Sequence, residues 1–471
     1  MKTDKPNIVF FFTDDQRFDT IAAQGNPQVH TPNLDKLVKR GVSFTQACIP
    51  CGTSGAVCMP SRAMLNTGRT LFHIQGAGQS IPEAHKTIGE TLQQAGYRTY
   101  GSGKWHNGKE SFARSFTDGA EIFFGGMADH WNVPAYDFDP SGKYDKTCAV
   151  INKPGYSREV SLRQCDHITA GKHSTDLITD AATSFIEKYD DDSPLYMYLS
   201  FLAPHDPRSM PQEFLDLYNI DDIQLPPNFM GGHPFDTGAL RIRDEELAGF
   251  PRNPEEVRTH IMEYYAMISH VDARIGDVMA SLEAKGMMDN TIIVFAADNG
   301  LAVGQHGLMG KQNCYEHSIR VPLIFAGPGL PEDVSTEALV YLFDIFPTLC
   351  NLAGIETPAS VEGSSLDEIL QDQDATVRPF TYHAYTEYQR AVRTGKYKLI
   401  EYVIDGKHTV TQLFDLESDP AELDNLAYYE EYSELRDSLR DELVNLAKEW
   451  DDEKTEWGEK FWSHYDAKEL A

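Results

Sequence analysis

Residues 7–16 read Asn7-Ile8-Val9-Phe10-Phe11-Phe12-Thr13-Asp14-Asp15-Gln16. An unbroken apolar run followed at once by two carboxylates is the pattern of a strand buried on both faces, as in a helix-covered sheet, with polar groups delivered at its carboxyl end. The design recurs along the chain. Tyr97 to Ser102 reads as a strand running into Gly103-Lys104-Trp105-His106, and Leu195 to Leu202 as one running into Ala203-Pro204-His205-Asp206-Pro207. Thr291 to Ala297 runs into Asp298-Asn299-Gly300, and Pro322 to Ala326 is a further strand. Helical patterns lie between them. One carries Ile88, Leu92 and Ala95 and is closed by Gly96. A second starts near Thr175 with Leu177, Ile178, Ala181, Phe185 and Ile186 on one face, and a long third runs from Glu255 to Lys285, closed by Gly286.

Strands alternating with helices make residues 1–370 an α/β unit built on a large, mostly parallel sheet flanked by helices. Such sheets bind ligands outside the carboxyl ends of their strands, so the four polar strand ends are expected to meet in one crevice. Segments 107–172 and 207–255 show little periodicity and read as long functional loops. Over 371–471 the pattern changes. Ala391 to Val403 and Thr409 to Leu416 read as antiparallel strands turned through Asp405-Gly406, and Leu435, Leu439, Leu443, Leu446 and Trp450 stripe a last helix. This is a smaller C-terminal α+β subdomain with an antiparallel sheet.

The chain has 471 residues, of which 41% are hydrophobic, and 72 Asp+Glu against 41 Lys+Arg leave a net charge of -31. That balance excludes the basic surface that nucleic-acid binding requires. An anionic substrate must therefore be drawn in by local cations or a metal; the acidity also serves solubility in salty surroundings. No apolar window reaches the roughly 18 residues of a membrane span. Met1-Lys2-Thr3-Asp4-Lys5-Pro6 leads towards the first strand with no apolar signal core, which fits a cytoplasmic chain or one whose signal has been removed. The seven cysteines, 48, 51, 58, 148, 165, 314 and 350, lack zinc-finger spacing. Cys148 and Cys165 flank a polar insertion and either pair in an oxidising compartment or stay reduced.

Cys58-Met59-Pro60-Ser61-Arg62, followed by Thr67-Gly68-Arg69, forms a polar knot between apolar regions. Pro60 suits a first helical position. That puts Cys58 just ahead of a helix N-terminus, where unpaired amides favour an anion, and Arg62 returns to the same side. Taken alone, Cys58 suits a half-buried structural thiol better, since a free cysteine usually behaves as a small hydrophobe. Asp14, Asp15, Asp298 and Asn299 are hard oxygen ligands at two strand ends and suit Ca²⁺ or Mg²⁺; without a cation the three carboxylates would repel one another. Lys104, His106 and His205 stand at the other two strand ends, and Lys311 closes the glycine-punctuated loop 304–311. This set suits hydrolysis of a tetrahedral anion ester, with cations on the equatorial oxygens and a histidine at the leaving group.

At these residues the chain resembles the type I, formylglycine-dependent sulfatases of the alkaline phosphatase superfamily. Cys58-Met59-Pro60-Ser61-Arg62 with Thr67-Gly68-Arg69 matches the C-x-P-S-R…T-G-R signature. Asn7-Ile8-Val9 leading to Asp14-Asp15-Gln16 fits the family's first strand, and Gly103-Lys104-Trp105-His106, Ala297-Asp298-Asn299-Gly300 and Gly310-Lys311…Tyr315-Glu316…Arg320-Val321-Pro322 fit others. Gln412-Leu413-Phe414-Asp415-Leu416…Asp419-Pro420…Glu422…Asn425-Leu426 is similar to the family's C-terminal subdomain. The resemblance implies that Cys58 is oxidised to formylglycine by a formylglycine-generating maturation enzyme and that the hydrated aldehyde, a gem-diol, is the nucleophile. It implies Arg62 orienting that residue, and Ca²⁺ rather than Mg²⁺ held by Asp14, Asp15, Asp298, Asn299 and residue 58. Lys104 and Lys311 would bind sulfate oxygens, His205 would protonate the leaving alcohol, and His106 would be the base of the second step. The implied location is the periplasm or outside the cell, with the cytoplasm as the alternative.

One departure lies in Cys51-Gly52-Thr53-Ser54-Gly55-Ala56-Val57, a longer, Gly/Ser-rich approach to the signature that should reshape the pocket rim. Phe123-Phe124-Gly125-Gly126-Met127-Ala128-Asp129-His130-Trp131, continuing to Tyr136 and Tyr144, resembles bacterial sulfatases acting on marine polysaccharides such as ulvan or carrageenan. Its aromatics and His130 suit sugar contacts or plain loop packing. His173, Arg241, Arg243 and His306 are further substrate candidates. The expected substrate is a sulfated oligo- or polysaccharide. The alternatives are a phosphonate or phosphate monoester hydrolase on the same scaffold and a non-catalytic glycan-binding relative.

Overall fold

In the computed structural model, which describes residues 5–151 and 156–466, the opening stretch becomes strand β1, Asn7–Thr13, buried along its whole length. Residues 1–4 of the stretch read for a signal lie outside the described residues. The remaining strands of the two main sheets are β2 Gly41–Phe44, β3 Cys51–Gly52, β4 Arg98–Lys104, β5 Asp118–Phe123, β6 Leu195–Ser200, β7 Thr291–Ala297, β8 Leu323–Ala326 and β9 Val334–Thr336, then β10 Thr381–Tyr385, β11 Gln389–Arg393, β12 Tyr397–Ile404 and β13 Lys407–Asp415. The large sheet has eight strands in the order β9-β2-β8-β7-β1-β6-β4-β5. Its middle, β7-β1-β6-β4, is parallel throughout. Phe12 pairs with Ser200, Thr13 with Ala297 and Ser200 with Gly103, so all four carboxyl ends finish level at one edge. Every strand that was read as ending in a polar cluster is one of these four.

Helices cover both faces. The principal ones are α1 Pro32–Lys39, α2 Cys58–Thr67, α3 Ile88–Gln94, α4 Ser174–Lys188, α5 Pro254–Ala284 and α6 Ser433–Glu449. Thr87 caps α3 through its side chain, and Asn253 caps α5 ahead of a proline at the first helical position. No described helix is long and apolar enough to cross a membrane.

The second sheet is β13-β12-β11-β10-β3, antiparallel except where β10 lies parallel to β3. Because β3 comes from the N-terminal part, this sheet is sewn to the chain just ahead of Cys58. One apolar cluster runs from Ile8 and Phe12 through Ala63 and Leu65 to Leu399 and Leu443, so the core continues across residue 370.

Several readings need correction. Ala391 to Val403 is two strands, because Thr394-Gly395-Lys396 makes a turn closed by Thr394 N–H to the Tyr397 carbonyl. Segment 107–172 holds β5, the edge of the large sheet, and a hairpin of Thr147–Ile151 with Val160–Gln164. Pro60 is the third residue of α2, with Val57 as N-cap; its missing N–H is still one that the first turn leaves unpaired. Of the two states open to Cys148 and Cys165, the structure has the free thiols, with Cys148 Sγ facing the Asp166 carbonyl at 3.3 Å.

Candidate active site

Each element brings its residue to the level edge for a local reason. β1 ends in Asp14 and Asp15, with Asp15 in the left-handed region at φ +64°. β4 ends in Gly103-Lys104. Gly103 has φ +87°, and a Cβ there would stand 1.9 Å from the Ser200 carbonyl oxygen, so only glycine lets β4 lie this close to β6. His106 follows at φ +70°. Two side-chain-bearing residues held at positive φ are strain that the surrounding packing must over-determine, a pattern that clusters at working sites.

Helix α2 is buried at all ten positions and begins at Cys58, whose thiol is 2% exposed with its residue. Lys104 Nζ and His106 Nδ1 both stand 3.5 Å from Cys58 Sγ. Arg62, fully buried one turn later, does not face the cavity. Its Nε donates to Asp298 Oδ2 at 2.8 Å, and its Nη1 to the Lys104 carbonyl at 2.9 Å and Ser200 Oγ at 2.6 Å. Its guanidinium also lies over the Phe12 ring. Arg62 thus ties four strand ends to helix α2.

Behind Cys58 lie Asp14, Asp15, Asp298 and Asn299, all buried. Ligand atoms of Asp14, Cys58 and Asp298 fall within 4.8 Å of one another, as do those of Asp14, Asp15 and His205. Asp14 Oδ1 and Asn299 Oδ1 receive no hydrogen bond among the described residues, while Asn299 Nδ2 donates to Asp15 Oδ1 at 2.8 Å. Buried oxygens without donors are what a cation's ligands look like; the set is an acidic cluster that could hold a metal ion. Lys104 Nζ sits on Asp14 Oδ2 and Lys311 Nζ on Asp15 Oδ1, each at 2.5 Å.

Burial, Asp14 and Asp15 push the Asp298 carboxyl up to about 7, against the pull of Arg62 and Lys104. Burial also raises Asp15, but the Lys311 ammonium, by charge and by hydrogen bond, and Lys104 beyond it hold that carboxyl below its usual range. The Cys58 thiol is raised, mainly by burial, in spite of Lys104 and Lys311. Burial and the neighbouring lysines push both His106 and His205 well down, leaving neutral rings. His205 Nδ1 lies 2.8 Å from the Asp206 carbonyl, which only accepts, so Nδ1 carries the proton and Nε2 is bare, 3.6 Å from Asp15 Oδ2.

Cys58, His106, His205 and Lys311 floor a cavity of about 260 Å³. Its walls are Gly55 and Ala56 from the approach to α2, Gly126 and Met127, and Ile242, Arg243, Asp244 and Gln312. The Gly/Ser-rich approach and the 123–131 stretch do form the rim. Arg243 is half exposed and is held by Asp206 and by Asp244 Oδ1 at 3.0 Å. Asp244 also accepts from Gln312 Nε2 at 2.7 Å.

Of the other expected substrate residues, the cavity receives none. His130 is 1% exposed, and its ring hydrogen-bonds Ser174 and the His205 carbonyl. His173 caps α4, its Nδ1 accepting from Thr175 N–H. His306 stacks on Tyr315 at 4.1 Å, its Nε2 bonded to Asn228. Arg241 lies over the Phe250 ring. Tyr136 and Tyr144 are buried against Phe124, a packing cluster and no sugar platform. Sequence reasoning missed Asp206, Asp244 and Gln312. Each adjoins a residue that it did single out, and that adjacency was the available signal.

A sequence model described as Sulfatase matches residues 6–355, and one described as N-sulphoglucosamine sulphohydrolase, C-terminal, matches 304–449. The chain is 31% identical to a choline-sulfatase of Rhizobium meliloti over 91% of this chain and 83% of that protein. It is 28% identical to an ulvan-active sulfatase of Formosa agariphila over 95% and 82%. A solved structure of a protein with its substrate D-glucosamine-2-N,6-O-disulfate superposes with a TM-score of 0.77 at 24% identity, over 97% of this chain and 100% of that one.

Proposed function

The chain belongs to the sulfatase family, and on that premise we propose that it hydrolyses the sulfate ester of a carbohydrate, taking one terminal sugar of an algal sulfated polysaccharide such as ulvan, or of its oligosaccharides. The observation that carries this reading is the floor of the cavity: Lys311, His106 and His205 surround residue 58 in a space of about 260 Å³, room for little more than one sugar ring. The likeness to an ulvan-active sulfatase supports the choice of polymer.

Residue 58, oxidised from cysteine to formylglycine by a maturation enzyme, would supply a hydrated aldehyde as nucleophile. Asp14, Asp15, Asp298, Asn299 and residue 58 fit a hard divalent cation. Ca²⁺ suits this irregular, carboxylate-rich set better than Mg²⁺, which demands near-octahedral geometry. When bound, such a cation would polarise the sulfate and lower the pKa of the attacking hydroxyl. The protein's own groups do the rest. Lys104 and Lys311 hold sulfate oxygens, and Arg62 fixes Asp298 and Asp14. His106 exchanges a proton with residue 58 through Nδ1, its nearer nitrogen. His205, with Nδ1 committed, exchanges one only at Nε2, where arrival of an anionic ester favours the protonated ring and hence donation to the leaving alcohol. Arg243, Asp244 and Gln312 contact the sugar. A periplasmic or secreted location suits a polymer substrate.

The test is sulfate release from a panel of ulvan and glycosaminoglycan oligosaccharides set against phosphonate monoesters, with mass spectrometry of the residue-58 peptide. Expected are turnover of a sulfated sugar, formylglycine at residue 58 after co-expression with a maturation enzyme, and no turnover by Cys58→Ala. Faster phosphonate turnover, or an active protein that keeps its thiol, would sink the reading.

A further inference from the structure

His205 is held from behind by a residue outside the cavity. We propose that His130 is a positioning residue: its Nε2–H, donated to the His205 backbone carbonyl at 2.9 Å, sets where His205 Nε2 stands over the cavity floor. The inference rests on the proposed role of His205 at the leaving group.

The hydrogen bonds fix the tautomer. A carbonyl oxygen only accepts, so His130 Nε2 must carry the proton. Its Nδ1 is then bare and accepts from Ser174 Oγ at 2.7 Å, while Ser174 N–H donates to the His130 carbonyl at 2.7 Å. Both ring nitrogens and the carbonyl of His130 are thereby occupied. The ring is also stacked. His173 lies parallel to it at 4.9 Å, His270 from α5 packs on His173 at 4.7 Å, and Phe214 packs on His270 at 4.5 Å. His173 is locked in the same tautomer, accepting at Nδ1 from Thr175 N–H and donating from Nε2 to the Ser209 carbonyl at 3.0 Å. A column of rings thus runs from α5, past the start of α4, to the backbone of His205. Burial keeps His130 and His173 neutral, pushing them down to about 4 and about 3, so the donor at His130 Nε2 persists through the neutral range.

Other holds grip the loop on either side, Asp14 N–H on the Ala203 carbonyl at 3.3 Å and Arg243 on the Asp206 side chain, while the His205 carbonyl itself is held by His130. Pro204 and Pro207 bracket His205 and have no N–H to give. His205 N–H reaches only the Leu202 carbonyl, at 3.2 Å. Removing the His130 donor frees the His205 carbonyl to turn, and its ring with it. A reacting group displaced by about 1 Å costs up to about 100-fold in rate.

The test compares His130→Leu, His130→Gln, His205→Ala and the His130→Leu/His205→Ala double variant. Each is assayed on a sulfated sugar, whose alcohol leaves with a proton, and on 4-nitrophenyl sulfate, whose phenolate needs none. Expected for His130→Leu is a roughly 10- to 100-fold fall in kcat on the sugar with little change in KM. Activity on 4-nitrophenyl sulfate should stay near wild type. Gln keeps an N–H donor and should restore most of the loss. The double variant should be no worse than His205→Ala alone, because His130 acts through His205. Equal losses on both substrates, multiplication of the two single effects, or no loss in His130→Leu would each overturn the inference. If His205→Ala itself proved indifferent to the leaving group, the proton-donor role would fail, and non-additivity would still decide whether His130 works through His205. Should His130→Leu fold poorly, Ser174→Ala, which frees Nδ1 to compete for the proton, replaces it in the same cycle.

Discussion

Replacing Arg62 with Met keeps the length of the side chain and removes its charge and five donors. The guanidinium makes a 2.8 Å charged bond to Asp298, bonds of 2.9 Å and 2.6 Å to the Lys104 carbonyl and Ser200 Oγ, and a 3.8 Å ion pair with Asp14. None of these partners can turn to solvent, since Arg62, Asp14 and Asp298 are all at or near 0% exposed. Breaking a buried pair from one side costs about 3–5 kcal/mol, and the two neutral acceptors share one nitrogen, so about 4 kcal/mol is the expected loss. For a large domain, at about 2 °C per kcal/mol, the melting temperature should drop by roughly 8 °C. Melting in chelator, for variant and wild type alike, isolates this loss from any effect on cation binding. Arg62→Lys should fall between them, because one ammonium reaches Asp298 and loses the fork. A melting temperature for Arg62→Met within 1–2 °C of wild type would refute the claim that Arg62 neutralises the carboxylates; that margin is well under the roughly 8 °C expected.

Two further outcomes follow from particular contacts. Gly126→Ala would set a Cβ 3.1 Å from His106 Cε1 and Nε2. Moving that ring by a few tenths of an ångström should lower kcat by about 3- to 10-fold with an unchanged melting temperature; unchanged kcat would show that His106 Nδ1 does not need its present place. Glu422 is pushed up to about 7, first by burial and also by the Glu316 carboxylate, against the pull of Lys398. A carboxyl whose folded value exceeds its unfolded 4.5 keeps its proton longer in the folded state, so this group makes stability fall as pH rises from about 4.5 to 7, by about 3 kcal/mol. Glu422→Gln should lose that fall, and parallel melting curves for variant and wild type between pH 5 and 7.5 would show the assignment wrong.

The legible parts of this protein are those where burial is total. β1 and β7 are buried at every position and apolar from Ile8 to Phe12 and from Ile292 to Ala297, because both faces are covered, and no helical period competes with that reading. Their ends then had to carry the polar groups. Half-buried elements were harder. β5, Asp-Gly-Ala-Glu-Ile-Phe, lies at the sheet edge with four of six residues partly exposed, so its polarity reads as loop. The turn at Thr394-Gly395-Lys396 interrupts an otherwise continuous β pattern and shows itself only in the pairing of β11 with β12. Histidines were the least readable. His106, His130 and His306 all sit near glycine in loops, yet one faces the cavity and two face protein. That difference is decided by partners far away in sequence, Ser174 for His130 and Asn228 for His306. Arg243 reaches the cavity while Arg241, two residues before it, turns to Phe250.

A chain of net charge -31 can still select an anion, because the charges that decide it are not on the surface. Exposed charges are screened over about 10 Å at 0.1 M salt, whereas buried ones are screened much less. At the floor, Asp14, Asp15 and Asp298 face Arg62, Lys104 and Lys311, three against three, so the buried set alone is formally neutral. Arrangement breaks the tie. Lys311 lines the cavity, and Lys104 Nζ comes within 3.5 Å of Cys58 Sγ, while none of the three carboxylates lines it. An entering group meets Arg243 and Asp244, which pair with each other in the wall, and then an ammonium and two neutral imidazoles, with the three floor carboxylates behind residue 58 and two of them, Asp14 and Asp298, held by Arg62. A divalent cation among those carboxylates would shift the balance further towards an anion without altering what lines the cavity. The sign of the substrate's charge is thus written in the order of layers beneath residue 58, and the acidic exterior is free to serve solubility.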